Sequence, residues 1–188
     1  MDNHRYQVPK EDVTKESVNH LIEHRIPWLF LGLLGGISAT LFVAKYENIL
    51  TADVRLAFFI PIIVYLSDAL GTQTETIYVR ELFGKKKINF KQYILKETLV
   101  GLGMGALSGI MLAVFAVVWL SSYAIGSVLF LTMLINLTIA PLLATIIPKL
   151  LYMQHSDPAL GSGPIATVIQ DLISLFVYFL VINLIIFS

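Results

Sequence analysis

The chain has 188 residues, 56% of them hydrophobic and 14% charged, with 13 basic side chains against 13 acidic ones. A soluble domain carries about 25% charged residues, so this composition excludes an ordinary soluble protein and leaves length for one membrane domain. There is no cysteine, which excludes disulfides and thiolate metal sites.

In chain order, residues 1–25 are polar and lack the apolar core and small-residue cleavage site of a signal peptide. Val13, Val18, Leu21 and Ile22 fall loosely on one side. Residues 10–25 therefore suit either a short amphipathic helix or a polar lead-in at the headgroups. From residue 26 to 188 the chain reads as a transmembrane domain. Five apolar runs are long enough to cross a bilayer as helices, at about 28–44, 54–79, 98–120, 127–147 and 164–187. Pro27 suits the first turn of the first span. Apolar residues run continuously rather than alternating, which argues against strand spans. The expected fold is all-α and polytopic, with five spans.

Lysine and arginine set the expected orientation. Arg5, Lys10, Lys15 and Arg25 precede span one. Arg80, Lys85, Lys86, Lys87, Lys91 and Lys96 lie between spans two and three, and Lys149 between spans four and five. The opposite side has Lys45 and Arg55, each near an acid. This places the N-terminus in the cytoplasm and the C-terminus outside, in a cell inner (plasma) membrane. The run of three lysines is a positive-inside signal that also suits contact with anionic lipid.

Lipid does not drive helices together, so close packing needs small residues. Gly101, Gly105 and Gly109 repeat every four residues in span three, and Gly32, Gly36 and Thr40 in span one. Both stripes read as helix contacts.

A charge at mid-bilayer costs a few kcal/mol and usually lines water or binds something. In span two, Asp68, Thr72 and Glu75 share a helix face, with Tyr65 one turn earlier and Gln73 pointing elsewhere. In span five, Pro164, Thr167, Asp171, Ser174 and Tyr178 share a face, and in span four Thr132 and Asn136 do. No lysine, arginine or histidine lies mid-span. An ionised acid there must be protonated, solvated or matched by a bound cation. The three stripes turned inward would line a path for cations. Asp171 and Asp68 are the strongest candidates. Glu75 also suits a pair with Arg80 or a loop lysine, and Asn136 suits a bond between helices. Glu97, at the start of span three, suits the helix dipole and carries no transport role.

The last third of the chain, "DPALGSGPIATVIQDLISLFVYF", resembles the last span of the MgtE magnesium transporters. The matching residues are Asp157-Pro158-Ala159, Ser162-Gly163-Pro164, Thr167, Asp171 and Tyr178-Phe179. "RIPWL" at 25–29, "LAFFIP" at 56–61, "GTQ" at 71–73, "VREL" at 79–82 and "LKETLVGLGMG" at 95–105 resemble earlier parts of the same domain. The resemblance implies a homodimer with its pore on the twofold axis, lined by spans two and five. It implies that Asp171 contributes to the magnesium site, where Thr167 and the backbone at Gly163 would accept hydrogen bonds from the ion's waters. Two positions depart from the family pattern. Ser67-Asp68-Ala69 stands where a Gly-Gly-Asn is usual, and Ser174 where glycine is common. The family's cytoplasmic helical domain and paired CBS domains need far more than residues 1–25. Gating is therefore expected to fall to a partner or the N-terminal segment, or to be absent.

The expected function is channel-like transport of a divalent cation, Mg2+ foremost, with no enzymatic activity, no resident cofactor and no nucleic-acid partner. A Na+- or H+-coupled antiporter is the alternative. An intramembrane aspartyl protease and a non-transporting membrane subunit are remoter, and the protease's Tyr-Asp and Gly-x-Gly-Asp patterns are missing.

Overall fold

The computed structural model describes residues 16–84, 89–154 and 158–187, and all regular structure within them is helical. Arg5, Lys10, Val13, Lys15, Lys85, Lys86, Lys87 and Asp157 lie outside these residues. Helix α1 spans Val18–Ala44 and α2 is the short Glu47–Ala52. A 3-10 segment, Val54–Phe59, leads into α3, Ile60–Leu82. Helices α4 (Phe90–Leu120), α5 (Tyr123–Met153) and α6 (Pro158–Ile186) follow. Five segments are long and apolar enough to cross a membrane: Val18–Ala44, Val54–Leu82, Phe90–Leu120, Tyr123–Met153 and Gly161–Ile186. The chain is thus an integral membrane protein by length and composition of its helices.

Polar side chains set the helix starts. Ser17, Asn89 and Ser122 each accept a hydrogen bond from the backbone N–H three residues on, capping α1, α4 and α5. Between α4 and α5 the chain reverses through Ser121, whose φ of 52° lies in the left-handed region. A non-glycine residue is uncommon there, and it marks a tight reversal.

Two helices start earlier than expected. Helix α1 begins at Val18, so Pro27 lies inside it rather than in its first turn. The proline lacks the N–H that would reach the Glu23 carbonyl, and Glu23 is exposed, so nothing buried loses a partner. Residues 18–25 continue this helix. Among the described residues, Val18 and Ile22 of this stretch are exposed, while Leu21 is half-buried. Helix α4 begins at Phe90, which puts Glu97 two turns inside it. The dipole effect is confined to the first turn, and Glu97 is held instead by Thr74 of α3, whose Oγ1 donates to Oε2 at 3.0 Å.

Helix α5 is the centre of the bundle. It packs on α4, α6 and α3, while α1 packs chiefly on α6. The α4–α5 seam is close because α4 presents glycine. A Cβ on Gly101 would strike the Leu137 carbonyl. One on Gly105 would lie 3.0 Å from Leu134 Cα, and one on Gly109 would lie 2.9 Å from the Phe130 carbonyl. The stripe expected in span one is not used in this way. Gly32 and Gly36 face open space, and Gly35 instead abuts Val168 of α6. Relative to the expected face, α1 is rotated by about 100°, the angle between neighbouring residues of a helix. Near the other end of α1, the Trp28 ring sits where a side chain on Gly161 would be.

Leu56, Phe59, Ile63, Met133, Leu137, Tyr178 and Phe179 belong to one buried core. Tyr46 stacks on Phe179 with centroids 4.2 Å apart. The Tyr178 hydroxyl donates to the Leu56 carbonyl at 2.7 Å. Tyr178 is therefore an anchor between α6 and the 3-10 segment, not part of a polar wall. Asp53 caps that segment. Its Oδ1 accepts from Arg55 N at 3.1 Å and Nε at 2.8 Å, and its Oδ2 from Nη2 at 2.7 Å.

Two outcomes follow. Replacing Gly105 by leucine should overpack the α4–α5 seam, at a cost of about 1–3 kcal/mol, whereas Gly103, with nothing within 4 Å, should accept leucine. Thermal unfolding of the two variants in detergent measures the difference, and equal melting would contradict the seam. The second outcome concerns Asp53, whose hydrogen bonds from Arg55 hold its carboxyl below the usual carboxylate value. The pair's contribution is present above the unfolded-state value and is lost as pH falls through the depressed folded value. Asp53→Asn should remove that part of the acid dependence, as read by melting temperature against pH.

Candidate cation site

Helices α3 and α6 lie side by side and present the acids of the two central stripes. Asp68, Thr72 and Glu75 do share a face of α3, and with Gly71 they line a small cavity closed by Ala140, Leu143 and Ala144 of α5 and Ala166 and Gln170 of α6. Its volume is about 10 Å3. Tyr65, expected on the same face, is 69% exposed and lines neither this cavity nor the cleft at Asp171. Gln73 points outward, as its register requires.

Each α3 carboxylate is met by an α6 hydroxyl. Thr167 Oγ1 donates to Asp68 Oδ1 at 2.9 Å, and Ser162 Oγ donates to Glu75 Oε1. Glu75 therefore bonds into the protein and does not pair with Arg80. Gly163 stands beside this contact: a Cβ there would lie 3.9 Å from Glu75 Oε1. Hydrogen bonds to a carboxylate are the stronger kind, and two of them tie α3 to α6 where no cationic side chain does.

Asp171 faces the other way. It opens on a cleft of about 290 Å3 lined by Ala39, Thr40 and Val43 of α1, Ile60 and Val64 at the start of α3, and Leu175. Its Oδ1 is buried with no hydrogen-bond partner. Asp68 lies within electrostatic reach of both Asp171 and Glu75. Even so, no group of three or more His, Cys, Asp or Glu is close enough to hold a metal among the described residues. The three acids form two neighbouring places rather than one cluster.

The stripe on α5 does not line either space. Asn136 is fully buried between α5 and α6, where Nδ2 donates to the Ser174 carbonyl at 3.3 Å. Thr132 is fully buried with it. Helix α5 turns these groups into the seam because its opposite side is already taken by the glycines of α4. Ser174 is likewise buried and accepts at Oγ from Gln170 Nε2 at 3.1 Å. Gln170 and Ser162 also belong to the site. Gln170 stands next to Asp171, and its amide in an apolar run was a visible signal. Ser162 lies within the quoted "SGP", and only the α3–α6 packing shows what its hydroxyl meets.

The Thr167–Asp68 bond should show as coupling. In a double-mutant cycle of Thr167→Val with Asp68→Ala, the pair should account for about 0.6 kcal/mol of stability in detergent, and at most about 1.7, as for other bonds between membrane helices. Strictly additive effects would mean the two groups do not meet.

Residues 60–181 match the family model of MgtE, described as a divalent cation transporter. The chain is also similar to three proteins named magnesium transporter MgtE. That of Enterococcus faecalis is 36% identical over 172 residues, 89% of this chain and 38% of the relative. That of Bacillus subtilis is 29% identical over 182 residues, 95% of this chain and 40% of the relative. That of Thermus thermophilus is 28% identical over 162 residues, 85% of this chain and 36% of the relative. The chain thus spans about two-fifths of the length of these relatives. With the family model covering well over half of its residues, the chain belongs to the MgtE family of divalent cation transporters, a family of transporters and not of enzymes.

Proposed function

We propose that this chain conducts divalent cations, Mg2+ foremost, across a cell inner (plasma) membrane, along a path between α3 and α6 with Asp171 as its central group. The observation that supports this most is the state of Asp171. It is a mid-span carboxylate whose Oδ1 is buried and unpartnered, at the wall of an open cleft. A buried carboxylate without partner is costly, and a passing cation supplies the missing charge.

The cleft is open because only α1, α3 and α6 bound it. A second copy of the chain across a twofold axis would close it and bring two Asp171 side chains face to face. Mg2+ demands octahedral oxygen coordination and gives up water reluctantly, so a mostly hydrated ion between two carboxylates fits its chemistry. Thr40, on the cleft wall, is placed to accept hydrogen bonds from the ion's waters. Thr167 and Gly163 keep a different part in this scheme, holding the α3 acids in register. The basic residues Arg25, Arg80, Lys91, Lys96 and Lys149 support a cytoplasmic N-terminus in this reading. The path is channel-like: flux should follow and reverse with the membrane potential without a sodium or proton gradient.

Proteoliposomes test this reading. Asp171→Asn should lower Mg2+ uptake by about tenfold or more, with manganese and calcium as competitors to set selectivity. Unimpaired uptake would remove Asp171 from the path, and an absolute need for a counter-gradient would replace the channel by a coupled antiporter.

A further inference from the structure

The small cavity between α3, α5 and α6 has a character of its own. Its volume of about 10 Å3 is room for about one water. A hydrated Mg2+ does not fit it. The lining nevertheless contains two carboxylates, Asp68 and Glu75, with the Thr72 hydroxyl and the Gln170 amide. No lysine, arginine or histidine lines it.

Gln170 points to a ligand. It is 4% exposed, and its Oε1 is buried with no hydrogen-bond partner. Its amide is held against Ser174, with Nε2 donating to Oγ at 3.1 Å. The backbone of Ser174 is in turn held by Asn136. The carboxylates are fixed as well, each by one α6 hydroxyl, from Thr167 and from Ser162. An unsatisfied buried acceptor costs about 1–3 kcal/mol, so an interior that holds one against two acids and no base lacks a positive partner.

We infer that Asp68, Glu75 and Gln170, with the exposed Thr72 at the rim, form a second metal site within one chain that takes a single hard divalent cation of the Mn2+ type, stripped of most of its water. All the donors are oxygens, which suit Mg2+, Ca2+ or Mn2+. Entry requires shedding water, which disfavours Mg2+, and Ca2+, with 6–8 oxygens at longer distances, needs more room than a space of about 10 Å3 gives. Two carboxylates balance the charge of one divalent ion. Asp171 is not part of this lining and opens on the other cleft. The site therefore goes beyond the conduction proposed above and stands or falls apart from it.

The test uses the full chain in detergent, titrated with Mn2+ and read by electron paramagnetic resonance, with each variant checked by its melting temperature. In Asp171→Asn protein, one Mn2+ per chain should remain bound, with few water ligands, and should resist an equal concentration of Mg2+. On that background Asp68→Asn and Glu75→Gln should each weaken binding by about tenfold or more. Gln170→Glu, which adds a charge at the unpartnered oxygen, should strengthen it. Asp171→Asn protein that melts normally but binds no Mn2+ would overturn the site, whatever its effect on Mg2+ uptake. So would a well-folded Gln170→Glu protein that binds no more tightly. Retained uptake together with retained Mn2+ would instead sink the conduction reading and leave this site in place.

Discussion

The structure depends on how carboxylates are accommodated in an apolar bundle without cations to meet them. Within the chain, α6 supplies hydroxyls instead, Thr167 to Asp68 and Ser162 to Glu75. This is a cheaper answer than an ion pair, because a hydroxyl brings no charge that must itself be desolvated. It also leaves the negative charge uncancelled. A lysine at either position would have neutralised the acids and removed their attraction for a cation. Hydroxyls hold the side chains still and keep the field.

That arrangement needs α3 and α6 at a fixed separation, and α5 sets it. Helix α5 fills the space behind both, and its own position is fixed by the glycine face of α4. Helix packing and site geometry are therefore one problem. The glycines belong to α4, which lines neither of the spaces at Asp68 and Asp171, yet they decide how closely α5 lies. Asn136 and Ser174 add polar bonds to the same seam. Bonds between buried helices of this kind give register more than strength.

Much of this was legible in the sequence for identifiable reasons. Length and apolarity report directly on membrane crossing, so the five spans appear where the apolar runs are, with only their ends displaced. Helical spacing alone put Asp68, Thr72 and Glu75 on one face, and that face borders one small cavity while Thr72 stays exposed. The stripe of Gly101, Gly105 and Gly109 was readable because only glycine allows backbones so close. Other features depend on rotation between helices, which spacing does not encode. Asn136 shares a face with Thr132, but nothing local says whether that face meets a cavity or a neighbouring helix. Gly32 and Gly36 form as regular a stripe as those of α4, yet α6 meets α1 at Gly35. Glu97 looked like a first-turn residue because the apolar run starts there. The helix itself is nucleated earlier, by the cap at Asn89.

The pairing of α1 with α6 has a consequence for how the protein is made. The two helices lie at opposite ends of the described chain, and their contact at Gly35 and Val168 joins residues far apart in sequence. Pairings of high contact order form late. Helix α1 is thus synthesised well before the partner it packs on, and until α6 follows it faces lipid over most of its surface. Between Trp28 and Ala44 it carries no charged residue, and its hydroxyls at Ser38 and Thr40 bond back to its own carbonyls. A helix with its polar groups satisfied internally can wait in the bilayer without a chaperoning neighbour.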